Sequence, residues 1–394
     1  MDQSAANPST AGAPPGAVVL RSAPISPVTE TMISPITEAI IQKKKTVDFL
    51  NKLPTELLIM VCENICHNGV AHRKSLVNLS RVCQRMPPLV RPILFRRITI
   101  GKNSRTRLIS LLRVLDNNPD LGTLIHEVGM KSEGCLGTFS ASDVVFLGKI
   151  SKELIGLKHS DLTKSGRSVY TWADSSIHAF ALLLAMAPNT AKVDLGAHLA
   201  GYEHNILSRN NKNARMKPAV LFEGVTSLEF DLSGQSGLFY GISELFTAMP
   251  NLEHLVLNGG YGWEFRRLPT FNAPNIVSLT LRKCSFSTTT LKNILGNFKN
   301  LRAFHFVGHF IRALPVVSAE FVLSLAAEHK KTLCNLTIAD IADRDRISEI
   351  EGFTELETLD ISQYSMSGFR PAALVELVIG CPNLKHIYIR DVFF

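Results

Sequence analysis

One short pattern recurs ten times along this 394-residue chain: an apolar residue, any two residues, an apolar residue, any one residue and a third apolar residue. The third match departs slightly, because Thr190 holds its first position. Successive matches lie mostly 23 to 35 residues apart, with one interval of 65. This spacing is typical of leucine-rich repeats, in which each repeat contributes one strand. The second and third apolar residues of the ten matches are Ile98/Ile100, Val128/Met130, Val193/Leu195, Leu228/Phe230, Leu255/Leu257, Leu279/Leu281, Phe304/Phe306, Leu336/Ile338, Leu359/Ile361 and Ile387/Ile389.

Helical segments and proline-asparagine joints separate these predicted strands. The joints are Pro188-Asn189, Pro250-Asn251, Pro274-Asn275 and Pro382-Asn383, and each precedes a strand, as expected where proline ends one element and asparagine allows a turn. We expect helices at Ile177–Ala187, Ile242–Met249, Leu291–Phe298, Ala319–Lys331 and Ala372–Gly380. Because one repeat cannot bury its own apolar face, neighbouring repeats must stack. The sequence therefore predicts an α/β fold over residues 95–394: a leucine-rich repeat solenoid with a curved parallel sheet and outer helices.

The repeats are irregular. The usual consensus has Asn or Cys three residues after the last apolar residue of the strand, and only Cys284 satisfies it, so we expect a broken ladder in which some strands pair poorly. The interval of 65 residues predicts an insertion at about 131–176, which the sequence leaves open as a loop, an extra repeat or a functional contact. The last match lies so close to Phe394 that we expect either a covered sheet edge or an edge open to association.

The chain before the repeats divides into two parts. Residues 1–45 are rich in Pro, Ser, Thr and Ala without sustained periodicity, which predicts a disordered tail. Residues 46–94 predict a helical module whose first helix begins near Pro54 and ends at Asn68-Gly69. The apolar residues of its first two helices are Leu53, Leu57, Leu58, Val61 and Ile65, then Leu76, Leu79, Val82 and Cys83. A third apolar patch at 89–94 follows Pro87-Pro88.

In this module, LPTELLIMVCENIC, SLVNLSRVCQRM and LVRPILFRRI follow one another in an order that resembles the F-box motif, and the whole chain resembles fungal F-box proteins with leucine-rich repeats. Met86 stands where the family usually has tryptophan, and the link CHNGVAHRK is long. The resemblance implies a substrate receptor of an SCF-type cullin-RING ubiquitin ligase, docked on a Skp-family adaptor and through it on a cullin, with the repeats binding a protein substrate. The adaptor-binding residues that it implies are Leu53, Pro54, Leu57, Leu58, Val61, Ile65, Leu76, Leu79, Val82 and Cys83.

Composition and missing motifs argue against other functions. Neither a signal peptide nor an apolar run near the roughly 20 residues of a membrane helix is found, and seven scattered cysteines fit a reducing compartment, so we expect a cytoplasmic or nuclear protein. The net charge of +8 is dispersed, so no nucleic acid partner is expected. No phosphate-binding loop, nucleophile elbow or complete zinc motif occurs, so we expect neither an enzyme nor a cofactor or metal.

A substrate surface is expected where polar residues alternate with the apolar strand positions, on the concave wall. Acidic residues come early and basic ones later, a charge distribution that could orient a partner, although a solvated polar face explains each single residue equally well. The candidates are Glu229, Asp231, His254, Arg282, Arg302, His305, Asp360, Lys385, Tyr388 and Arg390. The alternative hypothesis is a repeat scaffold without a role in ubiquitin transfer, its first helices serving as an N-terminal cap.

Overall fold

A computed structural model gives the architecture of the chain. It describes residues 50–67, 71–101, 105–130, 140–155, 172–196, 222–231, 246, 248–259, 275–284, 286–308, 317–339, 352–362 and 379–390. The predicted disordered tail at 1–45 lies outside these residues, as do most of the helices expected at Ile242–Met249 and Ala372–Gly380.

Ten parallel strands form one sheet whose spatial order follows the sequence order without a crossover. The strands are β1 (Arg97–Ile100), β2 (Glu127–Met130), β3 (Lys192–Leu195), β4 (Ser227–Asp231), β5 (His254–Asn258), β6 (Ser278–Cys284), β7 (Ala303–Gly308), β8 (Asn335–Ala339), β9 (Thr358–Ser362) and β10 (His386–Arg390). Every strand contains the second and third apolar residues of one match, so the predicted strand positions and the parallel sheet are confirmed. Sequential stacking of this kind is the arrangement of a solenoid.

The ladder between strands is continuous, which corrects the expectation of a broken one. Leu228, Leu255 and Leu279 are successive partners across β4, β5 and β6, and the same row extends from β1 to β10. One register shift occurs in β6, between Arg282 and Cys284. The regular register follows from burial: a slip of one residue would turn every apolar side chain of a strand toward solvent.

The apolar strand positions form the core. In β2 through β9 both apolar residues of each strand are buried, and the same cluster includes Leu291 and Leu295 of a helix, so the helices cover this side of the sheet. Each buried side chain of this size contributes roughly 1.5 to 3 kcal/mol relative to exposure. The residues between them point to the opposite face of the sheet. In β4, for example, half-buried residues alternate with the buried Leu228 and Phe230.

Among the described residues, three helices precede β1, and the other helices lie between strands. They are α1 (Thr55–His67), α2 (Ala71–Ser80), α3 (Met86–Arg96), α4 (Arg105–Asn117), α5 (Ala141–Ile155), α6 (Trp172–Ala185), α7 (Thr288–Leu295) and α8 (Ala319–Ala326), with 3-10 turns at Pro119–Leu124 and Ala327–His329. The predicted helices near 177, 291 and 319 correspond to α6, α7 and α8. Ser287 and Ser318 cap α7 and α8, each accepting a backbone N–H with its hydroxyl oxygen.

The predicted insertion at 131–176 is partly helical, because α5 lies inside it and α6 begins there. Leu147 and Ile150 of α5 are buried in the main core, so this segment is part of the repeat domain. The carboxylate of Asp143 on α5 also pairs with the Arg113 guanidinium of α4 at 2.9 Å. Helix α4 was not predicted from the sequence, although its apolar residues have helical spacing.

The asparagines of the joints link successive repeats. In each case the side-chain amide nitrogen donates to a backbone carbonyl oxygen of the turn in the preceding repeat, at 2.6 to 2.9 Å. The four bonds join Asn189 to Thr123, Asn251 to Glu223, Asn275 to Pro250 and Asn383 to Thr354. Gly224 holds the same position before β4, where a Cβ would lie 2.8 Å from the Pro188 carbonyl oxygen. The joints therefore link neighbouring repeats, in addition to marking where the helices end.

Candidate functional site

Helices α1, α2 and α3 form a unit with an apolar cluster of its own. Its fully buried residues are Leu58, Cys62, Leu76, Met86 and Val90, and none of them belongs to the cluster beneath the sheet. Met86 starts α3 and is buried here. We call this part, residues 50–96, the helical unit.

Helix α1 is apolar on two sides. Leu58 and Cys62 face the cluster, whereas Leu57, Met60 and Val61 expose 45%, 56% and 43% of their surfaces. A spacing of three and four residues places these three side chains on one helical face. We call them the α1 stripe. Contiguous exposed apolar residues of this kind commonly mark a surface for another protein.

The Arg85 side chain fixes the beginning of α1. Its guanidinium donates to the carbonyl oxygens of Asn51 at 2.7 Å and Leu53 at 3.0 Å, and to the Thr55 hydroxyl at 2.9 Å. Three bonds from one planar group hold the chain before α1 against the turn that leads into α3. The α1 stripe is thereby presented from a fixed helix.

The Cys62 thiol belongs to the core of the helical unit. Burial raises its pKa above the usual 9.0, and the carboxylate of Glu63 raises it further. A thiol that stays protonated is a poor metal ligand. Within the described residues, no three His, Cys, Asp or Glu side chains lie together as a metal site would require.

The residues implied as adaptor-binding divide by burial. Leu58 and Leu76 are fully buried, Leu53, Ile65, Leu79 and Cys83 are partly buried against them, and Pro54, Leu57, Val61 and Val82 are exposed. The sequence missed two further exposed apolar residues, Met60 and Val77. Apolar residues occur on both sides of α1, so spacing alone does not tell which side packs inward. The position of α2 and α3 decides it.

The helical unit also contacts the first repeat. Helix α3 leads directly into β1, its residue Phe95 packs against the core beneath the sheet, and the Arg73 guanidinium of α2 donates to the carbonyl oxygen of Arg97. The unit therefore stands at the β1 end of the sheet, far in strand order from β10.

The second candidate surface is the polar face of the sheet, opposite the core. Its central row runs across the strands through Asp194 on β3, Glu229 on β4, His305 on β7, Asp360 on β9 and Tyr388 on β10. Of the predicted surface residues, seven alternate with the apolar strand positions: Glu229, Asp231, His254, Arg282, His305, Asp360 and Tyr388. Arg302 and Lys385 lie just before their strands, and Arg390 ends β10, with its side chain outside the described atoms.

The acidic part of the polar face lies on β3 and β4. Asp194 and Glu229 are neighbours in the central row, and Asp231 ends β4. The Glu229 carboxylate accepts a hydrogen bond from the Asn258 amide at 2.6 Å and lies 3.8 Å from the Lys192 ammonium. Its charge is therefore partly compensated inside the face.

Around β7 the polar face contains a half-buried histidine, His305. His305 Nδ1 lies 2.8 Å from the Thr337 hydroxyl oxygen, and Thr337 is the ladder partner of the buried Asp360. Burial lowers the pKa of His305 below its usual 6.5, the Arg282 charge lowers it further, and the Asp360 charge opposes both. The ring is neutral at pH 7, so this region offers hydrogen bonds more than charge.

The predicted order of charge, acidic then basic, is present only in part. Arg282 on β6 follows the acidic strands, but Asp360 on β9 interrupts the basic half, and the Lys385 ammonium before β10 pairs with the Glu357 carboxylate at 2.8 Å. Asp360 is 5% exposed and gives the surface little charge to present.

A cavity of about 200 Å³ lies at the joints before β3 and β4. It is lined by residues that include Leu184, Pro188, Thr190, Phe222 and Val225. Ligand-binding clefts commonly enclose roughly 300 to 1,000 Å³, so we assign this cavity no ligand.

No protein-family model matches this chain, and a search of curated proteins finds none similar to it in sequence. In the part of the chain that the structure describes, none of the helices has the length and apolar character needed to cross a bilayer.

Proposed function

We propose that this protein is the substrate-recognition subunit of an SCF-type cullin-RING ubiquitin ligase. The helical unit docks on a Skp-family adaptor, and through it on a cullin, while the polar face of the repeats binds a protein substrate. One observation carries the proposal: the α1 stripe is exposed on a helical unit that resembles the F-box motif and has its own core. The protein needs no catalytic residue or cofactor for this role.

The α1 stripe is large enough to affect docking measurably. Its three side chains, Leu57, Met60 and Val61, are each about half exposed. Full burial of such a side chain contributes roughly 1.5 to 3 kcal/mol, so covering the exposed half contributes roughly 1 kcal/mol each. Together they amount to about 3 kcal/mol, or roughly a hundredfold in affinity. An amphipathic helix that lays such a stripe in a groove is a common recognition mode.

The test measures binding of the full-length protein to a purified Skp-family adaptor by calorimetry. The variant carries Leu57→Asp and Val61→Asp, and the matched control carries Val145→Asp, a 68% exposed valine on α5. We expect the stripe variant to lose at least about a hundredfold in affinity and the control to bind like the wild type. Leu58 is left unchanged, because a carboxylate at that buried position would unfold the unit.

A second function is favoured by a different observation, the contact between the helical unit and β1. The packing of Phe95 of α3 against the core beneath the sheet and the Arg73 hydrogen bond to Arg97 are what an N-terminal cap of a solenoid requires. A repeat scaffold with no role in ubiquitin transfer would use the unit in this way alone. Absence of adaptor binding by the folded wild-type protein would refute the ligase proposal and favour that alternative.

A further inference from the structure

Strand β6 contains a β-bulge near its end. Arg282 pairs with Val307 of β7, and Cys284 pairs with the next residue of β7, so Lys283 is an extra residue on β6. Lys283 has a φ of 53°, and in the part of the chain that the structure describes it is the one residue other than glycine with a positive φ. Side chains rarely adopt this left-handed conformation, for which glycine is the usual residue. A lysine therefore occupies a position that favours glycine.

Hydrogen bonds on the β5 side hold the bulge in place. The Gly259 N–H donates to the Arg282 carbonyl oxygen at 2.7 Å. The buried Cys284 thiol lies 3.0 Å from the Gly259 carbonyl oxygen and 3.4 Å from that of Leu257. The chain thus returns to the core at Cys284 after one extra residue. The bulge is a defined feature of the sheet, of the kind that turns a side chain to a new direction.

The bulge brings two positive side chains to the solvent side by side. In a regular strand successive side chains point to opposite faces, so Lys283 would point into the core. Here the buried Leu281 is followed by two exposed residues, Arg282 and Lys283, and then by the buried Cys284. Solvation of an ammonium group alone does not account for this arrangement, because a glycine would fill the left-handed position without strain. Strained residues of this kind cluster at binding sites.

Neither positive side chain forms an ion pair with a described residue. The ladder neighbours of Arg282 are Asn258 and Val307, which carry no charge. In the same row the acidic Asp231 lies two strands away, on β4. Burial and the Arg282 charge lower the pKa of His305 on β7, so this charge also acts on the neighbouring strand. The middle of the polar face thus has positive charge without a matching carboxylate.

We propose that Arg282 and Lys283 bind the carboxylate of an aspartate or glutamate in a protein segment that lies across the polar face. A guanidinium pairs with a carboxylate through two parallel N–H donors, and an ammonium group adds a compact positive charge beside it. Small-molecule sites are concave and cover most of their ligand. Both side chains are exposed on the face of a sheet, so the partner is a protein segment that gains its other contacts along the neighbouring strands.

The acidic residues of β3 and β4 determine where such a segment places its charges. Asp194, Glu229 and Asp231 repel a carboxylate, whereas β6 attracts one, and β4 and β6 are two strands or roughly 10 Å apart. The acidic residue of the partner therefore lies over β6. This inference rests on the proposed function only in calling the segment a substrate, because a repeat scaffold would bind its partner with the same chemistry.

The test follows the ring signals of His305 by NMR in the full-length protein, with His305→Gln to assign them. The probes are three capped tetrapeptides of glutamine whose third residue is glutamate, glutamine or phosphoserine. We expect the glutamate peptide to shift these signals at low ionic strength and the all-glutamine peptide to leave them in place. A bound carboxylate opposes the Arg282 charge, so the glutamate peptide should also raise the pKa of His305.

The protein variants for this test change Lys283. Lys283→Gly removes the charge and suits the left-handed position, so we expect a thermal midpoint no lower than that of the wild type and binding weakened at least about threefold. Lys283→Arg should keep binding. The matched control Lys292→Gln removes an exposed lysine of α7 and should bind like the wild type. Lys283→Gly should leave adaptor binding unchanged, so failure of this inference and failure of the ligase proposal are distinguishable.

Four outcomes would overturn the inference. These are no binding of the glutamate peptide, equal binding of the glutamate and all-glutamine peptides, undiminished binding by Lys283→Gly, and an equal loss in Lys283→Gly and Lys292→Gln. Binding of the phosphoserine peptide without binding of the glutamate peptide would overturn it in favour of a phosphorylated segment.

Discussion

Leu57 and Leu58 are adjacent on α1 and chemically identical, but they differ in environment. Leu58 is 1% exposed within the cluster of the helical unit, and Leu57 is 45% exposed in the α1 stripe. Replacing a buried leucine by alanine removes burial energy and leaves a cavity, at a cost of about 2 to 5 kcal/mol. The same change at Leu57 removes only partly buried atoms and should cost less than about 1 kcal/mol. Leu58→Ala should therefore destabilise the helical unit selectively.

Hydrogen exchange followed by mass spectrometry measures this difference locally. Amides of α1 should exchange roughly 30-fold to several thousandfold faster in Leu58→Ala, since about 1.4 kcal/mol corresponds to a factor of ten. Amides of β6 provide the internal control, because their side chains belong to the separate cluster beneath the sheet. Similar acceleration in Leu57→Ala and Leu58→Ala, or equal effects on α1 and β6, would show that the assigned burial of α1 is wrong.

Three further predictions concern the repeats. Asn251→Ala should lower the free energy of unfolding by about 0.5 to 1.5 kcal/mol in urea denaturation, because it removes one bond between repeats; stability equal to the wild type would contradict this role. Gly122→Ala should strongly reduce the thermal midpoint, since its Cβ would overlap the backbone of the joint before β3, whereas Gly129→Ala, with contacts no shorter than 3.6 Å, should be tolerated sterically. Burial lowers the pKa of His305 and His329, so the unfolded chain binds protons more readily and stability should fall as the pH drops below 6.5. Replacing both with glutamine should reduce that fall, and an unchanged pH dependence would contradict the assignment.

The strands were the most predictable part of the fold. A buried parallel strand needs apolar residues at alternate positions, and ten such segments were found where ten strands lie. The prediction of a broken ladder was wrong, because it relied on a single side chain, the one three residues after the last apolar residue of each strand. Cys284 does fill that position, its thiol lying 3.0 Å from the Gly259 carbonyl oxygen, but backbone pairing continues in the other described repeats without it.

The candidate surfaces were less predictable. Alternation along each strand identified most residues of the polar face, because side chains of one strand point to opposite sides in turn. It could not show that His305 and Thr337 are within hydrogen-bond distance, because they are 32 positions apart in the chain. It also could not show that Asp360 is buried, because burial depends on the surrounding strands.

By itself, the sequence determined the repeat, the strand positions and the joints, because burial and turn formation act on residues close together in the chain. Tertiary structure alone decided which side of α1 packs inward, since α1 is apolar on both sides and only the placement of α2 and α3 distinguishes Leu58 from Leu57. It also decided that β10 exposes residues that β9 buries, although their patterns are the same. Burial at these positions depends on a neighbouring element that lies elsewhere in the chain or in another molecule.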